Sequence, residues 1–185
     1  MYNSIELKKI LKNKKVLLTG HTGFKGSYMV FLLNELGAKV YGYSNEILKD
    51  SLYEILKLRN MVVEEKIDDI RNLESLKKFV LEVNPDYIIH MAAQPLVIDA
   101  YDDPVKTYET NVMGTVNILE VARGCSNLIS LLNVTTDKVY KNDNIEKYKF
   151  VEDDKLCGYD PYSNSKSCSE IVTFSYRNSF FKIVM

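Results

Sequence analysis

The sequence predicts an α/β fold, a doubly wound parallel sheet with helices on both faces, and three observations carry that prediction. Short apolar runs alternate with amphipathic helical stretches along the chain. That is the pattern of right-handed βαβ crossovers, which make the strands parallel. The apolar runs are nearly continuous, as in strands buried on both faces. The first run ends in a glycine-rich turn that opens a helix.

The elements follow in order. "KVLLTG" (15–20) is a buried strand ending in glycine, and "FKGSYMVFLLNELGA" (24–38) is a helix that stops at Gly37. "KVYGYS" (39–44) is the second strand, followed by a looser helical stretch over 46–58. "MVVEEKI" (61–67) reads as a strand and "NLESLKKFVLEVN" (72–84) as an amphipathic helix. "DYIIHMAA" (86–93) is a fourth strand, and residues 103–125 form one long helix opened by Pro104. "NLISLLNVTT" (127–136) is a fifth strand. A polar stretch (141–155) is read as a surface loop within the domain, and a last helix runs from Pro161 to about Phe180. No boundary divides the 185 residues, which form one domain.

Composition sets limits on function. Hydrophobic residues make up 46% and charged residues 26%, enough apolar material for a proper core. The formal net charge is −1, and the lysines are interleaved with acids, so no basic face invites nucleic acid or acidic lipid. Cys125, Cys157 and Cys168 lack metal-ligand spacing, and their sparse, odd number suits a reducing compartment. The N-terminal stretch is amphipathic and charged without the apolar core of a signal peptide, and no run reaches the ~18 residues of a membrane span. The expectation is a cytoplasmic protein without metal, nucleic-acid or membrane partners.

Gly20, Gly23 and Gly26 fall between the first strand and the first helix. A tight strand-to-helix turn needs glycine backbone angles, and a pyrophosphate must approach the backbone closely. The helix N-terminus then offers free N–H groups. In this context the turn reads as a dinucleotide site on a Rossmann-like sheet, with Thr22, Phe24 and Lys25 in the same loop. The second strand ends in Ser44 and Asn45, with Glu46 beyond, where the ribose is held in such folds. No arginine stands there for a 2′-phosphate, which favours NAD over NADP.

Tyr162 and Lys166 are four residues apart on one helical face, and Asp160 can cap that helix ahead of Pro161. An ammonium beside a phenol favours the phenolate, and a phenolate can take a proton from an alcohol while hydride leaves for a nicotinamide. With thirteen tyrosines in the chain, two unrelated surface residues are the competing reading. Thr135, Thr136, Asp137 and Lys138 emerge at the carboxyl end of the fifth strand, where ligands bind in open α/β sheets.

The stretches "TGHTGFKGSYM", "DIRN", "HMAAQPLV", "TYETNVMGTVNILE", "NVTTDKVY", "GYDPYSNSKSCSE" and "RNSFF" resemble the extended short-chain dehydrogenase/reductases, and within them most nearly the CDP-glucose 4,6-dehydratases. The resemblance implies a resident NAD and a nucleotide-sugar substrate, CDP-glucose. It implies that Tyr162, helped by Lys166 and Thr136, removes the 4-hydroxyl proton of glucose as C4 is oxidised. Asp137 would protonate the departing C6 hydroxyl and Lys138 would take the C5 proton, for which its pKa must be lowered by burial or a nearby cation. Asp69 and Ile70 would lie by the adenine; Ala92, Ala93 and Gln94 would line the cofactor; Asn111 would hold the active-site backbone. Ile98 stands where the family usually has arginine, and Ala100 where it has a small hydroxyl residue. The family's chains are nearly twice as long, so the resemblance implies an NAD-binding domain over 1–185, truncated before the C-terminal substrate domain, with "FKIVM" either the stub of a sixth strand or unrelated sequence. It also implies a homodimer through helices 103–125 and 161–180. Two alternatives stand beside it: a dinucleotide-binding fragment without turnover, and a related enzyme such as a sugar-nucleotide 4-epimerase, against which the Asp-Lys pair after Thr136 argues.

Overall fold

The structure, a computed structural model, describes residues 4–142 and 148–181. Part of the polar loop (143–147) and most of the expected sixth-strand stub (182–185) lie outside the described residues. Five parallel strands form one sheet in the order β3-β2-β1-β4-β5. They are β1 (Lys15–Thr19), β2 (Lys39–Ser44), β3 (Val62–Ile67), β4 (Tyr87–His90) and β5 (Ser130–Asn133). The central strand β1 pairs with β2 on one side and β4 on the other, with Val16 beside both Val40 and Tyr87. The chain runs outward from β1 through β2 to β3, then crosses back to β4. The reversal leaves a crevice at the carboxyl ends of β1 and β4, the place where open α/β sheets bind ligands.

Eight α-helices complete the described fold: α1 (Ser4–Leu11), α2 (Phe24–Glu35), α3 (Leu52–Ile55), α4 (Leu73–Val83), α5 (Val97–Asp102), α6 (Pro104–Tyr108), α7 (Gly114–Ala122) and α8 (Pro161–Ser179). Alternate residues of β1 feed opposite cores. Leu17 packs with Tyr43, Leu76, Phe79, Val80, Ile88, Ile118 and Val121, under α4 and α7. Val16 and Leu18 pack with Val30, Leu33, Val40, Tyr53 and Leu58, under α2 and α3. The period of two along a strand is what divides one run of apolar residues between two layers.

The expected doubly wound sheet is present, with β5 confined to Ser130–Asn133 rather than 127–136, and four further details differ from the sequence reading. The long helix over 103–125 is α6 and α7 joined by a wide π turn, Glu109–Met113, and it ends at Ala122. The loose helical stretch over 46–58 reduces to α3, followed by a 3₁₀ turn at Leu58–Met61. Strand β4 stops at His90 rather than at 93, because the amides of Met91 and Ala92 each donate to Thr19 Oγ1 at 3.1 Å. Burial on both faces holds for β1 but not for β3 and β5, the outer strands, which are half exposed. Among the described residues no helix is long and apolar enough to cross a membrane, and no cluster of three metal-ligating side chains occurs.

Candidate active site at the carboxyl ends of β1, β4 and β5

The glycine turn is built for close approach. Gly20 has φ +73°, and a Cβ there would lie 2.8 Å from the Ala92 amide nitrogen. A Cβ on Gly26 would lie 2.0 Å from the Gly20 carbonyl oxygen, so α2 can seat on the turn only without a side chain. Gly23 caps α2 with extended backbone and offers no side-chain hydrogen bond, leaving the first-turn amides free for an anion. The turn is tied to β2: Gly20 N donates to the Tyr43 carbonyl at 2.8 Å, Thr22 N to Ser44 Oγ at 3.3 Å and Thr22 Oγ1 to the Glu46 carbonyl at 2.6 Å. Phe24 and Lys25 are exposed at the helix start. The two residues expected near the ribose therefore separate. Ser44 is buried and its hydroxyl serves the turn, while Asn45 stays at the surface with its amide on Glu46.

The cradle thus fits a pyrophosphate, and a separate cleft lies beyond β3. Asp69, Arg71, Asn72, Glu109 and Met113 line an open cleft of about 460 Å³. Asp69 accepts from Arg71 Nη2 at 2.8 Å, and Arg71 Nη1 reaches Glu109 at 2.7 Å. The Arg71 hydrogen bond holds the Asp69 carboxyl below its usual range. Ile70 is buried against Gly114. Sequence reading named Asp69 and Ile70 but missed Arg71 and Glu109, which meet across 38 positions at the start of the π turn.

Asn111 lies inside that π turn and bonds to the loop after β4 twice. Its Oδ1 accepts from Gln94 N at 2.8 Å, and its Nδ2 donates to the Gln94 carbonyl at 3.1 Å and to Ser165 Oγ at 2.9 Å. It thereby joins the stretch Ala92-Ala93-Gln94 to α8. Beneath it His90 is fully buried between Thr19 Oγ1 (2.7 Å) and Thr115 Oγ1 (3.4 Å). Burial, with the nearby Lys166 charge, pushes His90 down to about 3, so its imidazole is neutral. Sequence reading passed over His90 as part of an apolar run.

Helix α8 starts as expected, with Pro161 in its first turn and the Asp160 carboxylate accepting from Ser163 N at 3.0 Å. Asp160→Ala should cost about 1 kcal/mol of stability, read as a lower midpoint in urea with an unchanged slope. Tyr162, Thr136 and Lys166 converge at the end of β5. Tyr162 is half-buried beside Thr136. Lys166 is 4% exposed and donates from Nζ to the Val134 carbonyl at 2.9 Å. The expected lowering of the phenol is not found. Burial raises the Tyr162 pKa and outweighs the lowering by Thr136, and the Lys166 ammonium is directed at the strand end. Burial also brings Lys166 itself down to about 8, with Glu170 acting the other way. Thr135 donates to Glu170, and Thr136 Oγ1 to Asp137 at 3.1 Å. Asp137 and Lys138 are exposed on a 3₁₀ turn, so the described residues do not supply the burial that the Lys138 base role calls for. Ala100 is fully buried in α5, whereas Ile98 is 77% exposed.

Comparison with known proteins places this site in a family. The GDP-mannose 4,6-dehydratase family model matches residues 17–185. The chain is 47% identical over 176 residues to a CDP-glucose 4,6-dehydratase of Salmonella typhimurium, covering 94% of this chain and 48% of that protein. It is 30% identical to a CDP-paratose 2-epimerase of Salmonella typhi, covering 90% and 54% of the two chains. A Thermus thermophilus UDP-glucose 4-epimerase, solved in complex with NAD, superposes with TM-score 0.78 at 28% identity, over 90% of this chain and 51% of that one. The chain spans about half the length of the curated relatives it matches. From the glycine turn to α8 it belongs to the GDP-mannose 4,6-dehydratase family of extended short-chain dehydrogenase/reductases.

Proposed function

We propose that this chain is the cofactor-holding and proton-transferring part of an NAD-dependent sugar-nucleotide 4,6-dehydratase that converts CDP-glucose to CDP-4-dehydro-6-deoxyglucose in the cytoplasm. The observation that carries the reading is the convergence of Thr136, Tyr162 and Lys166 at the end of β5, across the crevice from the glycine turn. The Salmonella relative supports CDP-glucose as substrate, and the NAD complex of the Thermus enzyme supports the cofactor. Gly20, Thr22, Gly23 and Gly26 would cradle the pyrophosphate, with Lys25 at its edge. Asp69 and Ile70 would meet the adenine, and Ala92 to Gln94 would line the nicotinamide half.

When bound, NAD supplies reversible hydride transfer, out from C4 and back to C6, with no net redox change. The chain's own residues move the protons. Tyr162 Oη takes the proton of the 4-hydroxyl, held in place by Thr136. Lys166, one helical turn along α8, supplies the positive charge that a phenolate needs. Asp137 protonates the leaving C6 hydroxyl and Lys138 Nζ takes the C5 proton, both once the bound sugar covers them. Tyr162→Phe keeps the ring and removes the acid–base group, so turnover of CDP-glucose should fall by about 10³-fold while NAD affinity stays within about threefold.

Helices α6 and α8 and the π turn leave Val105, Met113, Ile171 and Phe174 exposed, an apolar surface that a homodimer through these elements would cover. A second reading, a dinucleotide-holding chain without turnover, is favoured by the exposure of Asp137 and Lys138. A 4-epimerase is the weaker alternative, since it has no use for those two residues. The test is to denature the purified chain and assay released NAD, then incubate intact protein with CDP-glucose and follow the 4-keto product by its absorbance in alkali. NAD with product supports the dehydratase. NAD without product favours the second reading, and neither one overturns the dinucleotide site.

A further inference from the structure

The residue between Gly20 and Thr22 takes no part in the roles above, yet it is the most enclosed side chain of the turn. His21 is fully buried, and its ring lies over Gly42 of β2, where a Cβ would come within 2.5 Å of it. Gly42 pairs with Leu18 of β1 on one side and with Glu65 of β3 on the other. The missing side chain on β2 is therefore a notch through which the imidazole crosses one whole strand. On the far side His21 Nε2 meets Glu65 Oε2 at 2.9 Å. The same oxygen accepts from Tyr53 Oη at 2.7 Å, and Arg59 Nη1 reaches Glu65 Oε1 at 2.5 Å. Tyr53 packs edge-on against the imidazole, with ring centres 5.2 Å apart.

The charges in this cluster are fixed. Burial lowers the His21 pKa, against the pull of Glu65, so the ring is a neutral donor. Burial would raise Glu65, but the hydrogen bonds from Tyr53 and His21 and the charge of Arg59 hold it below its usual value. Glu65 is thus a carboxylate that accepts two hydrogen bonds and pairs with one cation. Core packing alone does not call for such an arrangement, because a buried polar group costs stability unless it is fully satisfied. Here the His21 Nδ1 atom is left without a partner.

We infer that His21 is a positioning residue for the dinucleotide: by crossing the Gly42 notch to Glu65 it ties the phosphate-binding turn to β3, and so fixes the Thr22–Phe24 amides at the start of α2. Without it, among the described residues, the hydrogen bonds of Gly20 and Thr22 hold the turn to β2 and to Glu46 just beyond it, and not to β3. With it, the turn that faces the pyrophosphate and the strand that leads to Asp69 become one rigid unit across three strands. Pre-ordering of this kind raises affinity because ligand binding no longer has to order the turn.

This inference rests on the dinucleotide reading above. The experiment measures the dissociation constant for NAD by titration calorimetry, and the melting temperature without ligand, for the wild-type chain and three variants. His21→Leu fills the space without the link. His21→Gln restores a donor at the Nε2 position. Gly42→Ala leaves every polar group in place but closes the notch and displaces the ring. NAD should bind about tenfold more weakly to folded His21→Leu and to Gly42→Ala, and His21→Gln should return to within about threefold of wild type. Wild-type affinity in either folded His21→Leu or Gly42→Ala overturns the inference, as does a folded His21→Gln variant that binds as weakly as the leucine variant. Should His21→Leu not fold, Gly42→Ala and His21→Gln decide alone. A wild-type chain that binds no NAD removes the dinucleotide reading itself, and the two failures are thereby separate.

Discussion

Gly26→Ala should lower the melting temperature by about 10 °C and leave no measurable NAD binding. The added methyl would stand 2.0 Å from the Gly20 carbonyl oxygen, 2.8 Å from His21 Cα and 2.9 Å from Gly20 C. All three are backbone atoms, so no rotamer change relieves the overlap. Either α2 lifts from the turn or the turn moves. Lifting α2 disturbs Val30 and Leu33, which are buried against β1 and β2. Moving the turn disturbs the Gly20 bond to Tyr43 and the Thr22 bonds to Ser44 and Glu46. Overpacking of a close-packed site costs about 3 kcal/mol, and for a chain of this length that is about 10 °C. The neighbouring glycine provides the control. A Cβ on Gly23 would meet only the Gly20 carbonyl, at an ordinary 3.4 Å. Gly23→Ala should therefore melt within about 2 °C of wild type, since a contact of that length forces no backbone shift. Calorimetry of both variants decides the point, and equal melting temperatures would show that the turn does not constrain α2.

The contrast between those glycines shows what a sequence can and cannot carry. The strand–turn–helix pattern and its three glycines were readable, because local spacing fixes them. So were the capping by Asp160, with Pro161 behind it, and the alternation that makes a doubly wound sheet. The Asn111 role rested on family resemblance, and the structure supplies bonds from its side chain to Gln94 and Ser165. What stayed hidden depends on contacts between distant residues. His21 and Glu65 are 44 positions apart and meet only across Gly42. Arg71 reaches Glu109, 38 positions away, at a π turn without a sequence signature in this chain. Ser44 was read as facing the ribose, but its hydroxyl is taken by Thr22. The Tyr162 environment could not be read from Y-x-x-x-K spacing, since it depends on where the Lys166 ammonium points.

Lys166→Met should raise stability and remove turnover together. Lys166 is 4% exposed, and burial takes its pKa from 10.5 to about 8. An amine with a folded pKa below its unfolded one binds a proton less readily in the folded state. The resulting penalty is fully present below pH 8. It is relieved as the pH rises from about 8 to 10.5, where the unfolded chain still holds the proton that the folded chain has lost. The penalty is about 3 kcal/mol. Methionine fills a similar volume without charge but leaves the Val134 carbonyl without its donor, which takes back about 1 kcal/mol. The net gain of about 2 kcal/mol is a melting temperature about 6 °C higher at pH 7. The gap should close as the pH approaches 10.5, because only the wild-type chain gains stability over that interval. A variant that melts lower than wild type at pH 7, or a gap that does not change with pH, would show that Lys166 is not held against its desolvation cost. On the dehydratase reading proposed above, turnover of CDP-glucose by the same variant should also fall, by at least about 10²-fold. A residue that destabilises the fold at neutral pH and whose loss also removed turnover would be one kept for chemistry rather than for stability.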